Sequence, residues 1–152
     1  MVSDKLRQQD IEKDKLINKI KSRIKGLDFF EEIELIILFG SRAREDHNFK
    51  SDLDLAFLLE PNFFEKINPI DFRIDLSSYF SELTGIKTDI VFLNTAKPLL
   101  KFQVLKYGTQ IYVNDDFDYA AYFSKSLREH FDFKYFKEYH YQKMKERLSE
   151  SN

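Results

Sequence analysis

Three aspartates and one glycine turn are the residues of this chain best suited to chemistry. Asp52 and Asp54 lead into the apolar run Leu55-Ala56-Phe57-Leu58-Leu59, and Asp89 leads into Ile90-Val91-Phe92-Leu93. Alternation along an extended strand places Asp52 and Asp54 on one face while Leu53, Leu55 and Phe57 point to the other. Aspartate is disfavoured in strands, and two like charges on one face repel unless a proton or a cation lies between them. Taken alone, the pair fits equally a strand-capping Asp52 with a solvent-facing Asp54, or half of a divalent-cation site. An acid at the start of a second apolar strand is harder to dismiss. If the two strands are neighbours, Asp52, Asp54 and Asp89 can hold two Mg²⁺ ions about 3.5–4 Å apart, the spacing of in-line displacement at phosphorus.

Such a site needs a phosphate cradle, and Gly40-Ser41 stands before Asp52 with ten residues between. Gly40 ends an apolar run and precedes Ser41-Arg42-Ala43-Arg44, a position where a glycine lets the backbone turn sharply and approach a ligand closely. Backbone N–H groups and the Ser41 hydroxyl there suit the β- and γ-phosphates of a triphosphate. Arg42, adjacent to the turn, and Arg44 beyond it add positive charge. A plain turn explains an isolated Gly-Ser equally well. The acids downstream make this one a candidate.

The elements that must position these groups can be read from periodicity. Ile17, Ile20, Ile24 and Leu27 at helical spacing predict an amphipathic helix over about residues 4–25, ended by Gly26. Ile33–Phe39 reads as a buried strand, and Leu53–Leu59 as a second, closed by Glu60-Pro61. Asn68-Pro69 caps a helix that runs to Gly85, Thr88–Leu93 is a third strand, and Thr95 and Pro98 open a helix ending at Tyr107-Gly108. Gln110–Val113 is a short fourth strand. From Asn114 or Asp115 the chain reads as helical to about Leu148, with a break near Asp132. Gly26, Gly85 and Gly108 all read as left-handed helix caps. Helix, strand, strand, helix, strand, helix, strand and a helical tail describe an α+β layer fold.

The motif stretches carry a family resemblance. Gly40-Ser41, ten intervening residues, Asp52-Leu53-Asp54 and then Asp89 resemble the signature of the polymerase-β-like nucleotidyltransferases. Leu38-Phe39-Gly40-Ser41-Arg42-Ala43-Arg44 followed by Ser51-Asp52-Leu53-Asp54-Leu55 is similar to the minimal nucleotidyltransferase (MNT, MntA-type) antitoxins that are paired with HEPN toxins. The resemblance implies a nucleotidyltransferase fold, with a small mixed sheet flanked by helices over residues 1–114 and an aromatic-rich helical extension over 115–152. It also implies ATP as substrate, Mg²⁺, and transfer of AMP to a tyrosine of a cognate HEPN ribonuclease, which silences it. By analogy Asp52 and Asp54 are metal ligands, Asp89 is the third ligand or the general base, and Gly40, Ser41 and Arg42 hold the triphosphate. Where the family often has Gly after Ser-Arg-Ala-Arg, this chain has Glu45-Asp46-His47, which leaves the role of Arg44 open.

The remaining sequence narrows the alternatives. The chain has 152 residues, enough for one core, and a net charge of −2, which gives no global field toward nucleic acid or an anionic membrane. Without cysteine there is no disulfide framework, thiol nucleophile or thiolate metal site. No apolar run approaches a membrane span, so a cytoplasmic protein is expected, with no direct nucleic-acid or membrane partner. Of 24 Phe and Tyr residues, ten lie between Phe117 and Tyr141. Tyr119, Tyr122 and Phe123 form one stripe suited to the domain's own core. Phe131, Phe133, Tyr135, Phe136, Tyr139 and Tyr141 point around most of a helix, which suits a protein partner or a second copy. Two other readings stand beside the enzyme: an antitoxin that only occludes its partner, and a small-molecule (aminoglycoside-type) nucleotidyltransferase, for which the residues after the core leave little room.

Overall fold

A computed structural model describes residues 2–44 and 51–151. Helix α1 (Val2–Ile24) leads into a short 3₁₀ turn (Phe30–Glu32) and strand β1 (Ile33–Phe39). Then come α2 (Ser41–Arg44), β2 (Leu53–Leu59), α3 (Pro61–Lys66), α4 (Pro69–Thr84), β3 (Thr88–Phe92), α5 (Pro98–Tyr107), β4 (Thr109–Val113) and α6 (Tyr119–Glu150). The four strands form one sheet in the order β3-β2-β1-β4. β1 runs antiparallel to both β2 and β4, whereas β2 and β3 are parallel and joined through α4. Parallel neighbours require such a crossover.

Both faces of the sheet are covered, which is why β1 and β2 read as near-continuous apolar runs. On one face, Ile17, Ile20 and Ile24 of α1 and Leu76 and Phe80 of α4 pack on Leu38, Leu53, Leu55, Phe57 and Ile90. On the other, Leu35, Ile37, Ala56 and Leu58 meet Val104 and Leu105 of α5, with Tyr119, Tyr122 and Phe123 of α6 at the margin. Asn68 caps α4 through bonds accepted from the Ile70 and Asp71 amides, and Gly85 ends it at φ 71°.

Several expectations change. Glu60-Pro61 does not merely close β2: the Glu60 side chain accepts a bond from the Phe63 amide and opens α3. Thr95 lies in the turn before α5, whose first residue is Pro98. Gly108 is not a left-handed cap, having φ −76°, and neither is Gly26. Gly108 is needed because a Cβ there would overlap the Ile37 side chain and the Val104 carbonyl. Helix α6 runs unbroken through Asp132, as one poor helix former costs well under ~1 kcal/mol and neither Gly nor Pro interrupts it. Its first turns pack on α5, where His130 stacks on Phe102 with ring centroids 4.2 Å apart, while residues 131–150 are exposed throughout. Among the described residues, no helix is long and apolar enough to cross a membrane.

Candidate active site

Parallel pairing of β2 and β3 sets Asp54 directly opposite Asp89. Adjacent strands lie about 4.8 Å apart, and residues in register share a face. Leu53, Leu55, Ile90 and Phe92 enter the core beneath α1 and α4, so the two aspartates between them face the side on which α5 lies. Asp52, two residues before Asp54, shares that parity at the mouth of β2. Its Oδ2 lies 4.0 Å from Lys87 Nζ, an exposed pair at the rim. Such pairs are worth about 0–1 kcal/mol and are readily exchanged for another cation.

The glycine turn closes on the same spot. Phe39 pairs with Asp54 across the antiparallel ladder, and Gly40 follows at φ 75°. A Cβ on Gly40 would overlap Asp54 Oδ2 and stand 3.2 Å from its Cγ. The turn therefore has two independent reasons to be glycine: the left-handed backbone and the carboxylate pressed against it. Burial pushes the Asp54 carboxyl above its ordinary range, with the charges of Asp89 and Asp52 adding to the shift. This is the electrostatic condition of a group that a bound cation would relieve.

Ser41 is the first residue of α2. Arg42 does something other than project over the turn: its Nε and Nη2 both donate to the Ser51 carbonyl, at 3.1 and 3.0 Å. The guanidinium thus ties the start of α2 to the residue before Asp52. Lys13 of α1 donates to the Ala43 carbonyl at 2.9 Å and fixes α2 from the other side. The Arg44 side chain and the stretch 45–50, which includes Glu45-Asp46-His47, lie outside the described residues. Between the Gly40 turn and α5 there is a cavity of about 370 Å³ lined by Phe39, Gly40, Leu100, Gln103, Val104 and Tyr107. That is within the size range of small-molecule sites.

Asp52, Asp54, Asp89 and the Gly40-Ser41 turn therefore lie at one end of the sheet, with Asp54 between Gly40 and Asp89. Among the described residues, no three acidic or imidazole side chains are drawn close enough to cage a metal by themselves. Mg²⁺ does not require that, because it keeps several waters and takes phosphate oxygens beside one or two carboxylates. The Asp54–Asp89 pair with Asp52 at the rim fits that donor chemistry. Sequence reasoning overlooked Lys87 and the α5 side chains. Lys87 shares strand parity with Asp89, and Leu100, Gln103 and Tyr107 recur at helical spacing, but neither signal distinguishes them from ordinary surface residues.

Residues 18–117 match the family described as Polymerase beta, Nucleotidyltransferase. Two curated proteins of Methanocaldococcus jannaschii, both candidate protein adenylyltransferases, are 35% identical over 63 residues and 39% identical over 70. These matches cover 41% and 45% of this chain and span 59% and 66% of the relatives' own lengths. Among solved structures, a chain from a toxin–antitoxin crystal structure with AMP-PNP has the same fold, at a TM-score of 0.69 and 23% identity over 84% of this chain and 97% of that one. A chain from the structure of a tri-AMPylated Shewanella oneidensis HEPN toxin in complex with its MNT antitoxin matches at 0.61 and 20%, over 90% and 98%. The chain belongs to the polymerase-β nucleotidyltransferase family.

Proposed function

We propose that this member of the family is an AMP-transferring antitoxin, which moves AMP from ATP to a tyrosine hydroxyl of a cognate HEPN toxin and so silences it. The observation that carries the reading is the register of Asp54 opposite Asp89 beside a glycine turn with no room for a Cβ, with Asp52 two residues before Asp54. The names of the curated relatives, and the AMPylated toxin in a structure of the same fold, support the choice of a protein acceptor.

In this reading the Gly40-Ser41 turn receives the β- and γ-phosphates on its amides and hydroxyl, and the cavity beside α5 is open to the nucleoside. Mg²⁺ held by Asp52, Asp54 and Asp89, in one or two ions, would supply charge neutralisation and lower the pKa of the acceptor hydroxyl, ordinarily about 10 for tyrosine. Asp89 accepts the hydroxyl proton. The acceptor oxygen bonds to the α-phosphorus, the bond from that phosphorus to the α,β-bridging oxygen breaks, and pyrophosphate leaves with the electron pair. Arg42 acts on this chemistry through Ser51 by fixing where β2 begins. The acidic side chains perform the transfer on residues 1–114, and the exposed aromatic half of α6, within 115–152, helps to hold the partner.

The test is incubation with ATP and Mg²⁺ together with the cognate partner, followed by intact-mass measurement of both proteins. The partner should gain one or more AMP units, and the gain should vanish with Asp54→Ala. An unmodified partner that is nonetheless neutralised, with the Asp54→Ala chain protecting growth as well as the parent, would establish occlusion in place of catalysis. Labelling of an aminoglycoside instead of a protein would establish the small-molecule reading.

A further inference from the structure

The cavity between the Gly40 turn and α5 has a wall whose side chains are not committed to the fold. Leu100, Phe39 and the buried Val104 line it with apolar surface. Gln103 and Tyr107, one helical turn apart on α5, also line it and are both exposed, Tyr107 at 60%. Among the described residues, no hydrogen bond engages the Gln103 amide or the Tyr107 hydroxyl, and no aromatic ring packs on Tyr107. The cation near that ring is Lys106, whose Nζ lies 5.2 Å from its centroid.

The fold holds this wall beside the phosphate turn. Gly108, the residue after α5, is pressed onto β1 where a Cβ would overlap the Ile37 side chain. Ile37 stands two residues before Phe39, so the contact sets the last turn of α5, with Tyr107, against the end of β1 from which the Gly40 turn departs. Phe39 pairs with Asp54, and its side chain belongs to the α5-facing cluster, on the face that Asp54 and Asp89 share. The opposite face is filled by core side chains of α1 and α4. A triphosphate seated on the turn, with its α-phosphorus beside the Asp54–Asp89 pair, therefore has room for its nucleoside on the α5 side.

We propose that Tyr107 and Gln103 select the nucleotide: the Tyr107 ring is the platform on which the base stacks, and the Gln103 amide reads the base edge and favours adenine over guanine. The inference rests on the AMP-transfer reading above and adds what chooses the base. A bare ring beside an apolar wall offers a flat surface to any base, so stacking supplies affinity and little choice. The choice comes from Gln103. A carboxamide presents a donor and an acceptor side by side, which match N7 and the N6 amino group of adenine. The same edge of guanine presents two acceptors, N7 and O6, so the amide oxygen there faces another acceptor and one bond is lost.

Tyr107→Ala, Tyr107→Phe and Gln103→Arg in the full chain test this, with the affinities for AMP-PNP, GMP-PNP and inorganic tripolyphosphate titrated in the presence of Mg²⁺. Tyr107→Ala should weaken AMP-PNP binding by roughly tenfold or more and leave tripolyphosphate, which has no base, unchanged. Tyr107→Phe should bind AMP-PNP as the parent does, because stacking needs only the ring. Gln103→Arg offers two donors to N7 and O6 and should shift the ratio of AMP-PNP to GMP-PNP affinity by roughly tenfold toward guanine. Undiminished AMP-PNP binding in Tyr107→Ala, an equal loss of tripolyphosphate, or an unshifted ratio in Gln103→Arg would overturn the base site. Intact-mass measurement of the partner scores the transfer reading separately. A partner left unmodified by a parent chain that shows this affinity pattern would remove the transfer and keep the base site, and a modified partner without the pattern would do the reverse.

Discussion

Gly40 and Gly85 share a left-handed backbone, at φ 75° and 71°, but not their surroundings. A Cβ on Gly85 would meet nothing within 4 Å, whereas one on Gly40 would overlap Asp54 Oδ2. Alanine at either position therefore incurs the same backbone strain, about 1–2 kcal/mol. For a chain of this size that corresponds to a fall in melting temperature of roughly 3–8 °C. At Gly40 the overlap falls on the far end of a carboxylate, which can swing aside at small cost in stability. Relief requires a displacement of about 1 Å, and a misplacement of that size costs on the order of 10²-fold in rate. Thermal melting of Gly40→Ala and Gly85→Ala should thus give similar losses, while AMP transfer should fall about a hundredfold for Gly40→Ala and stay near the parent rate for Gly85→Ala. Equal transfer rates for the two variants would refute the reasoning, by showing that contact with Asp54 contributes nothing beyond strain.

Asp54→Asn and Asp89→Asn should each reduce transfer by roughly 10²–10⁴-fold, while the melting temperature of Asp54→Asn holds or rises because a carboxylate disfavoured by burial and two acidic neighbours has been removed. Arg42→Lys keeps the charge and loses the two-pronged grip on Ser51, so it should raise the Mg²⁺ concentration needed for half-maximal transfer without changing AMP-PNP affinity; a fall in nucleotide affinity would mean direct phosphate contact instead. Deleting residues 131–152 should leave thermal stability unchanged, since nothing from 131 to 150 is buried, while weakening capture of the partner in a pull-down with both proteins purified.

How far this was legible depended on whether the physics was local. Asn68-Pro69 and Gly85 bracket α4 because capping and left-handed termination are decided by a few adjacent residues. β1 and β2 were legible because a strand buried on both faces has to be apolar throughout. Alternation put Asp52 and Asp54 on one face, but only the parallel pairing of β2 with β3, made through α4, sets Asp54 opposite Asp89. The misreadings have the same origin. Glu60-Pro61 signals a stop and a start equally, and the structure uses Glu60 for the start of α3. Gly108 carries the local mark of a helix cap, whereas its reason lies across the sheet at Ile37. That Arg42 donates to the Ser51 carbonyl, nine residues on, is likewise a contact that local sequence does not mark.

Rules of local stability are broken together at this end of the sheet. A left-handed residue flush against a side chain, two acids in register on paired strands, and a third acid at the strand mouth each oppose folding. By contrast, Gly85 turns in open space, α4 is capped, and the sheet buries apolar residues on both faces. A fold does not accumulate like charges beside a constrained turn to gain stability, since neutral residues of similar size there would remove the repulsion. The compensation has to come from something that binds after folding and carries both positive charge and phosphate oxygens. A metal-bound triphosphate meets both requirements, and stabilisation by it should follow mass action. Melting temperature should therefore rise with AMP-PNP and Mg²⁺ added together, rise far less with either alone, and show no joint rise in Asp54→Asn. A rise with AMP-PNP alone as large as that with both would place the compensating charge on Lys87 and its neighbours instead.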